Sequence, residues 1–322
     1  MFMRKIYIKL FLFLSLFYSY SEAKIFDYKK KGVDNSQNVT SGMKRFPFDK
    51  LMSLASSVEE DLSNETDYSV LEQTVLERDQ IDLANLMRTL RLLNPHPKKS
   101  LHWSIWNEQT QLNVPILILG SLALNTTCQE KGKNSLLFSA RGCCHFIKIF
   151  KKLFPSYQST YLHSSRYMYT HPTPKYVRYF KSLYSSKTLI VDEIGSGTTC
   201  KTFFKQFFSS DPCYFPLVGA HGRIESITHS FNAHIEMINY DLVGSLISYN
   251  KRGPVRLPPE YKIEDVQVAH DCIAKCVQLL EHYTFDTFDS ELLRGLFAVL
   301  QFHQPALSPY HNYKHNVETQ KN

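Results

Sequence analysis

Apolar positions recur along this chain in two rhythms, and each predicts a different element. Within residues 48–93, Leu71, Val75, Leu76, Leu83, Leu86, Met87 and Leu90 return at three- and four-residue steps. That spacing predicts helices with apolar faces, and Asn94-Pro-His-Pro97 is a firm stop. Short unbroken apolar runs at 114–119, 136–138, 160–162, 189–191 and 215–219 predict buried strands instead. After two of these runs the helical rhythm resumes. Phe146, Ile149, Phe150 and Leu153 alternate with Lys148, Lys151 and Lys152, and Phe203, Phe204 and Phe207 follow the turn at 195–199. Further helices are expected around Tyr176, Val177, Tyr179 and Phe180, and through Val266, Ala269, Ile273 and Leu280. The C-terminal part reads as mostly helical with a proline-rich break at 252–259. Strand, turn and helix in repetition predict an α/β fold with a mainly parallel sheet of Rossmann-like type and helical additions at both ends.

Candidate chemistry sits in the two turns that follow strand runs. Asp192 ends one run, and Gly195, Ser196, Gly197, Thr198 and Thr199 then lead into a helix. Glycines let a ligand approach the backbone, hydroxyls add donors, and a helix start favours an anion, so this segment predicts a phosphate cradle. The other turn is Ser139-Ala-Arg-Gly142. Two such units on parallel strands bring both turns to one sheet edge, where ligands of open α/β sheets bind. Arg166 follows the 160–162 run and is expected to emerge at the same edge as a bidentate phosphate clamp or as a surface ion-pair partner. Glu236 is a further acid near this region, with structural pairing as its plainer role.

These two loops resemble those of type I phosphoribosyltransferases over about residues 135–222. More loosely, the chain is similar to phosphoribosyltransferase-like segments of haloacid-dehalogenase-like proteins from bacterial envelope-polysaccharide clusters. The resemblance implies that Ser196, Gly197, Thr198 and Thr199 hold a 5-phosphate, with Gly195, Ser139, Gly142 and Arg166 lining the ligand. It also implies that Asp192 faces the ribose hydroxyls, that Arg141 lies near the pyrophosphate, and that Mg²⁺ arrives with the phosphorylated ligand. One element of the family pattern is damaged in either alignment: with Gly197 matched, Val191 takes the first acidic position, and with Asp192-Glu193 matched, the loop is one residue short. The expected function is therefore binding of a phosphorylated sugar or nucleotide-type ligand, with phosphoribosyl transfer if the site is active. The alternative is an inactive exported effector or interaction protein on the same fold.

Two other motifs compete less well. Gly195-Ser-Gly-Thr-Thr-Cys-Lys-Thr202 nearly satisfies the nucleotide-binding P-loop pattern, but Cys200 stands where a glycine must wrap the β-phosphate. Phe285-Asp-Thr-Phe-Asp-Ser290 resembles a phosphatase nucleophile motif, yet too little chain follows it. Asp289 or Ser290 is expected to cap the next helix instead.

Arg4, Lys5 and Lys9, an apolar core over 10–20 and Ser21-Glu-Ala23 predict a cleaved signal peptide, with an uncleaved anchor as the alternative. The implied location is secreted or periplasmic, with no membrane span after cleavage. Loss of residues 1–23 removes three basic groups and one acid, taking the formal charge from +7 to +5. Without a long basic run, nucleic acid is not an indicated partner. The seven cysteines are odd in number, and Cys272 and Cys276 read as core residues of a helix. No cysteine or histidine spacing predicts a metal site. Asn38, Asn64 and Asn125 open Asn-x-Thr sequons. The expected organisation is a signal peptide over 1–23, a flexible arm over 24–47 and a helical extension over 48–97 suited to a protein partner. The α/β domain with C-terminal helices spans 110–305, and a loose tail covers 306–322.

Overall fold

The computed structural model describes residues 65–208, 211–220, 229–259 and 261–308. The expected signal peptide, the arm, the sequons at Asn38 and Asn64 and most of the tail lie outside the described residues. Helices α1 (Glu65–Glu77) and α2 (Ile81–Leu92) form the described part of the helical extension, and α2 ends just before the predicted stop. Next come α3 (Leu101–Glu108), a π-helical turn (Gln109–Asn113) and α4 (Val114–Glu130), which run on as one 30-residue helix.

The run at 114–119 is thus helix, not the strand its apolar composition predicts. A helix buried on every side has no polar stripe, so its period is invisible in the sequence. Pro115 lacks the N–H that would close the preceding turn, and the wider π spacing just before it absorbs the mismatch. This helix is long and apolar enough to cross a membrane, but 83% of its most apolar window is buried within the fold, as in a core helix.

The sheet begins with β1 (Ser135–Ser139), followed by a 3₁₀ turn (Gly142–Cys144), α5 (Phe146–Leu153) and β2 (Gln158–Leu162). Then come α6 (Arg166–Thr170), α7 (Pro174–Leu183), β3 (Thr188–Asp192), α8 (Thr198–Phe207) and β4 (Tyr214–Pro216). The predicted strand at 215–219 is shorter than expected, because Leu217–Gly219 turns into a 3₁₀ helix. The four strands are all parallel, in the order β2-β1-β3-β4, with Phe138 opposite Tyr161 on one side and Val191 on the other.

After α9 (His229–Ile238) the chain forms a hairpin of β5 (Leu246–Asn250) and β6 (Gly253–Arg256). Here the sequence predicted only a proline-rich break. Pro254 is tolerated because the hairpin has two strands, both of them edges. Helices α10 (Ile263–Leu279) and α11 (Ser290–Phe302) complete the described chain. Asp289 caps α11, accepting from the N–H groups of Glu291 and Leu292, and takes a bidentate pair from Arg78 at 2.6 and 2.7 Å.

Alternation along the strands sends residues to two cores. Leu136, Phe138, Leu189 and Val191 share one core with α4, α5, α10, α11 and the apolar faces of α1 and α2. The described helices of the extension are therefore part of the same packing unit as the sheet. Leu137 and Ile190 point the other way, into an aromatic cluster with Tyr176 and Phe180 of α7 and Phe203 and Phe204 of α8. The chain thus leaves β1 over one face, through α5, and returns over the other, through α7 and α8. The direction of winding reverses between β1 and β3.

Phe180 is fully buried, its ring 5.3 Å from that of Phe203 and 5.4 Å from that of Phe204. Phe180→Ala is expected to destabilise the fold by about 3–5 kcal/mol in urea unfolding. Leu92→Ala, at a side chain that is 68% exposed, should change it by under about 0.5 kcal/mol.

Candidate functional site

The reversal between β1 and β3 opens the crevice in which doubly wound sheets bind ligands, at the carboxyl ends of the strands. Both sequence-predicted loops lie there, because β1 and β3 are adjacent and parallel. From β3, Gly195 and Gly197 take positive φ values of 118° and 68°, conformations that glycine adopts without penalty. Gly197 is the N-cap of α8 and offers no side chain; the Thr198 N–H donates to Ser196 Oγ at 3.4 Å, and the N–H groups of Thr199 and Cys200 face the open end of the helix. Ser196 and Thr198 are exposed and share a hydrogen bond of 2.6 Å between their hydroxyls, while Thr199 is half-buried. Cys200, the residue that spoils the P-loop pattern, is buried among the aromatic side chains, and Lys201 is exposed.

From β1, Ser139 is buried at the strand end, and the Ala140–Arg141 peptide is cis. Arg141 is half-buried, and its charge acts on the phenol of Tyr261, drawing that pKa down against the burial that raises it. Gly142 is a close-approach glycine: a Cβ there would lie 2.0 Å from Glu193 Oε2. Arg166 opens α6 and is exposed, and its guanidinium makes no hydrogen bond or ion pair among the described residues. Its helix packs on α8 through Tyr169 and Phe203, 5.4 Å between ring centres.

The acids are less open than the sequence implies. Asp192 Oδ2 accepts from Tyr214 OH at 2.7 Å, and Oδ1 accepts from the Glu193 N–H at 2.9 Å. Burial pushes the Asp192 pKa up to about 6, against those two bonds, and Glu236 adds to the rise. Glu193 is 3% exposed, and Oε1 has no partner among the described residues. Burial first, then the charges of Glu236 and Asp192, raise its pKa well above the usual carboxylate range. Glu236 therefore faces this pair from α9.

Behind the crevice lies a buried polar layer that sequence reasoning missed. Gln109 and Asn113 of the π turn both donate to the Ile238 carbonyl, at 2.6 and 3.2 Å, and Asn113 also donates to Asn239 Oδ1 at 2.9 Å. The following residue, Tyr240, accepts from His270 Nε2 at 3.0 Å, and Asp241 accepts a short bond from Tyr161 of β2. Cys144, His145 and His270 gather against this layer, all three buried. His270 lies on α10, 125 residues from His145, and no local spacing signals that meeting. All seven cysteines are free thiols, and only Cys213 is not fully buried. Asn125 lies in α4 with its side-chain oxygen bonded to Tyr157 OH. A cavity of about 320 Å³ opens beside β4, lined by Thr127, Lys131, Phe215 and Phe288 among others. It shares only Tyr214 with the residues around the crevice.

No protein-family model, no curated protein and no solved structure matches this chain.

The Glu193 environment carries a pH signature. The unfolded chain releases this proton near about pH 4, whereas the folded chain keeps it to well above that. Between the two values the folded state binds more protons, so stability falls as pH rises. After burial, the charges that act on this pKa are those of Glu236 and Asp192. Glu193→Gln, neutral at every pH, should melt close to wild type near about pH 4 and increasingly above it toward about pH 8. A difference between the two proteins that does not vary with pH would refute the assignment.

Proposed function

We propose that the chain binds a phosphorylated sugar or nucleotide-type ligand at the crevice between β1 and β3. The observation that carries this reading is the reversal of winding there, which sets two glycine-bearing turns side by side at one sheet edge. The phosphate would sit on the N–H groups of Thr199 and Cys200 at the start of α8, with the Ser196, Thr198 and Thr199 hydroxyls as further donors. Arg141 and Arg166 are the cations available to other phosphates of the same ligand. Asp192 retains lone pairs to accept from sugar hydroxyls.

Binding without turnover is the form of this reading that the acids favour. Glu193 is packed on Gly142, and Asp192 is held by Tyr214, so the pair does not offer an open double carboxylate to a protein-held Mg²⁺. Magnesium would enter only on the ligand's own phosphates. The resemblance to phosphoribosyltransferases then describes an inherited ligand site, and export would place it in an effector or interaction protein rather than a transferase.

Thermal unfolding of the full chain with phosphoribosyl pyrophosphate and Mg²⁺, with ribose as control, tests the reading. At a hundred times Kd the ligand should add about 2.7 kcal/mol to the folded state. Thr199→Ala should weaken that gain, ribose should give none, and no pyrophosphate should be released. A folded chain whose midpoint ignores both phosphoribosyl pyrophosphate and ATP overturns the proposal, and steady pyrophosphate release overturns the turnover-free form of it.

A further inference from the structure

The cluster behind the crevice has the chemistry of a metal site, independently of any phosphate ligand. Its possible ligand atoms, Cys144 Sγ and one ring nitrogen each from His145 and His270, all lie within 4.8 Å of one another. A tetrahedral ion with bonds of about 2.0–2.3 Å needs such atoms roughly 3.5 Å apart, a distance small side-chain rotations supply. His145 is 0% exposed, and neither ring nitrogen has a hydrogen-bond partner among the described residues. A buried imidazole without partners is costly unless something is to bind it.

His270 is oriented as a metal ligand would be. Its Nε2 lies 3.0 Å from the Tyr240 carbonyl, which can only accept, so Nε2 carries the proton and Nδ1 keeps its lone pair. That lone pair faces a cation already: Lys148 Nζ lies 3.1 Å from Nδ1. Lys148 is half-buried, one turn along α5 from Cys144 and His145, and its stem can carry the ammonium outward. Cys144 Sγ, at 3.5 Å from the Asn239 carbonyl, donates its thiol proton there.

We infer that Cys144, His145 and His270 bind a single Zn²⁺-class ion, with Lys148 as the internal cation that the metal displaces. Two imidazoles and a thiolate are a set that borderline-soft ions prefer over Mg²⁺ or Ca²⁺. On binding, the Cys144 thiol gives its proton to solvent and the sulfur takes the metal. The Lys148 ammonium stays protonated and moves to water. The fourth coordination position is open to a water or to an outside ligand.

The test is Co²⁺ titration of the full chain, stripped by chelator under reducing conditions, followed by Zn²⁺ competition. The inference expects intense visible bands of tetrahedral Co²⁺ and a near-ultraviolet thiolate band, both removed by one equivalent of Zn²⁺. Cys144→Ser should abolish the thiolate band, and His270→Gln should weaken Co²⁺ binding by tenfold or more. Lys148→Met, which removes the competing cation and leaves all three ligands, should tighten binding about tenfold. Metal-free melting curves establish that each variant is folded. Lys148→Met keeps the question decidable if either ligand variant fails to fold. A folded wild-type chain without tetrahedral bands, a thiolate band that survives in Cys144→Ser, or unchanged or weaker binding by Lys148→Met overturns the inference.

Discussion

The dry polar seam between the π turn and the end of α9 is the constraint on which the rest of the molecule depends. Amide side chains inside a core must find partners, since each one left unbonded costs about 1–3 kcal/mol. The amide N–H groups of Gln109 and Asn113 find theirs at Ile238 and Asn239, and in doing so fix where residues 239–241 run. Those three residues then hold much else in place. The Asn239 carbonyl accepts from Cys144, Tyr240 orients His270, and Asp241 ties down Tyr161 on β2. The long helix is thus both the floor of the main core and the peg that locates the polar chemistry above it.

Desolvation gives this chemistry a common sign. Near the crevice it drives acids and thiols toward their protonated forms and imidazoles toward their neutral ones. Three carboxyl groups beside an anion site would ordinarily repel a phosphate. Burial raises the pKa of Glu193 well above the usual carboxylate range and that of Asp192 to about 6, and so weakens that repulsion. The same dryness leaves His145 and His270 as lone-pair donors rather than charges. One physical cause therefore underlies both proposals, a phosphate at the sheet edge and a metal cation in the layer behind it.

Legibility in the sequence followed the range of each interaction. The strand-turn-helix units around Ser139 and Asp192 could be read because their signals are local: a short apolar run, glycines, then a three- and four-residue rhythm. The Asp289 cap was readable for the same reason. The run at 114–119 was misread because a helix buried on all sides shows no period, and Val, Ile and Pro there imitate a strand. The β5–β6 hairpin was missed because Pro254 and its neighbours look like a break when the edge position that tolerates them is unknown. At the site, sequence placed the two loops at one edge but not the burial of Glu193 against Gly142. It gave no hint that His270 returns to His145, since that contact exists only after α10 packs on α5.

The helix from Leu101 to Glu130 also sets a clock for the molecule. Neighbouring elements enclose its middle, from Ile105 to Leu124, while its last turn is exposed, so fraying of an edge does not reach the amides of that middle. Their exchange with solvent hydrogen waits for the opening of the whole sheet. Slowly exchanging protons are therefore expected in a segment that touches no candidate ligand, and their lifetime would measure the stability of the elements around it.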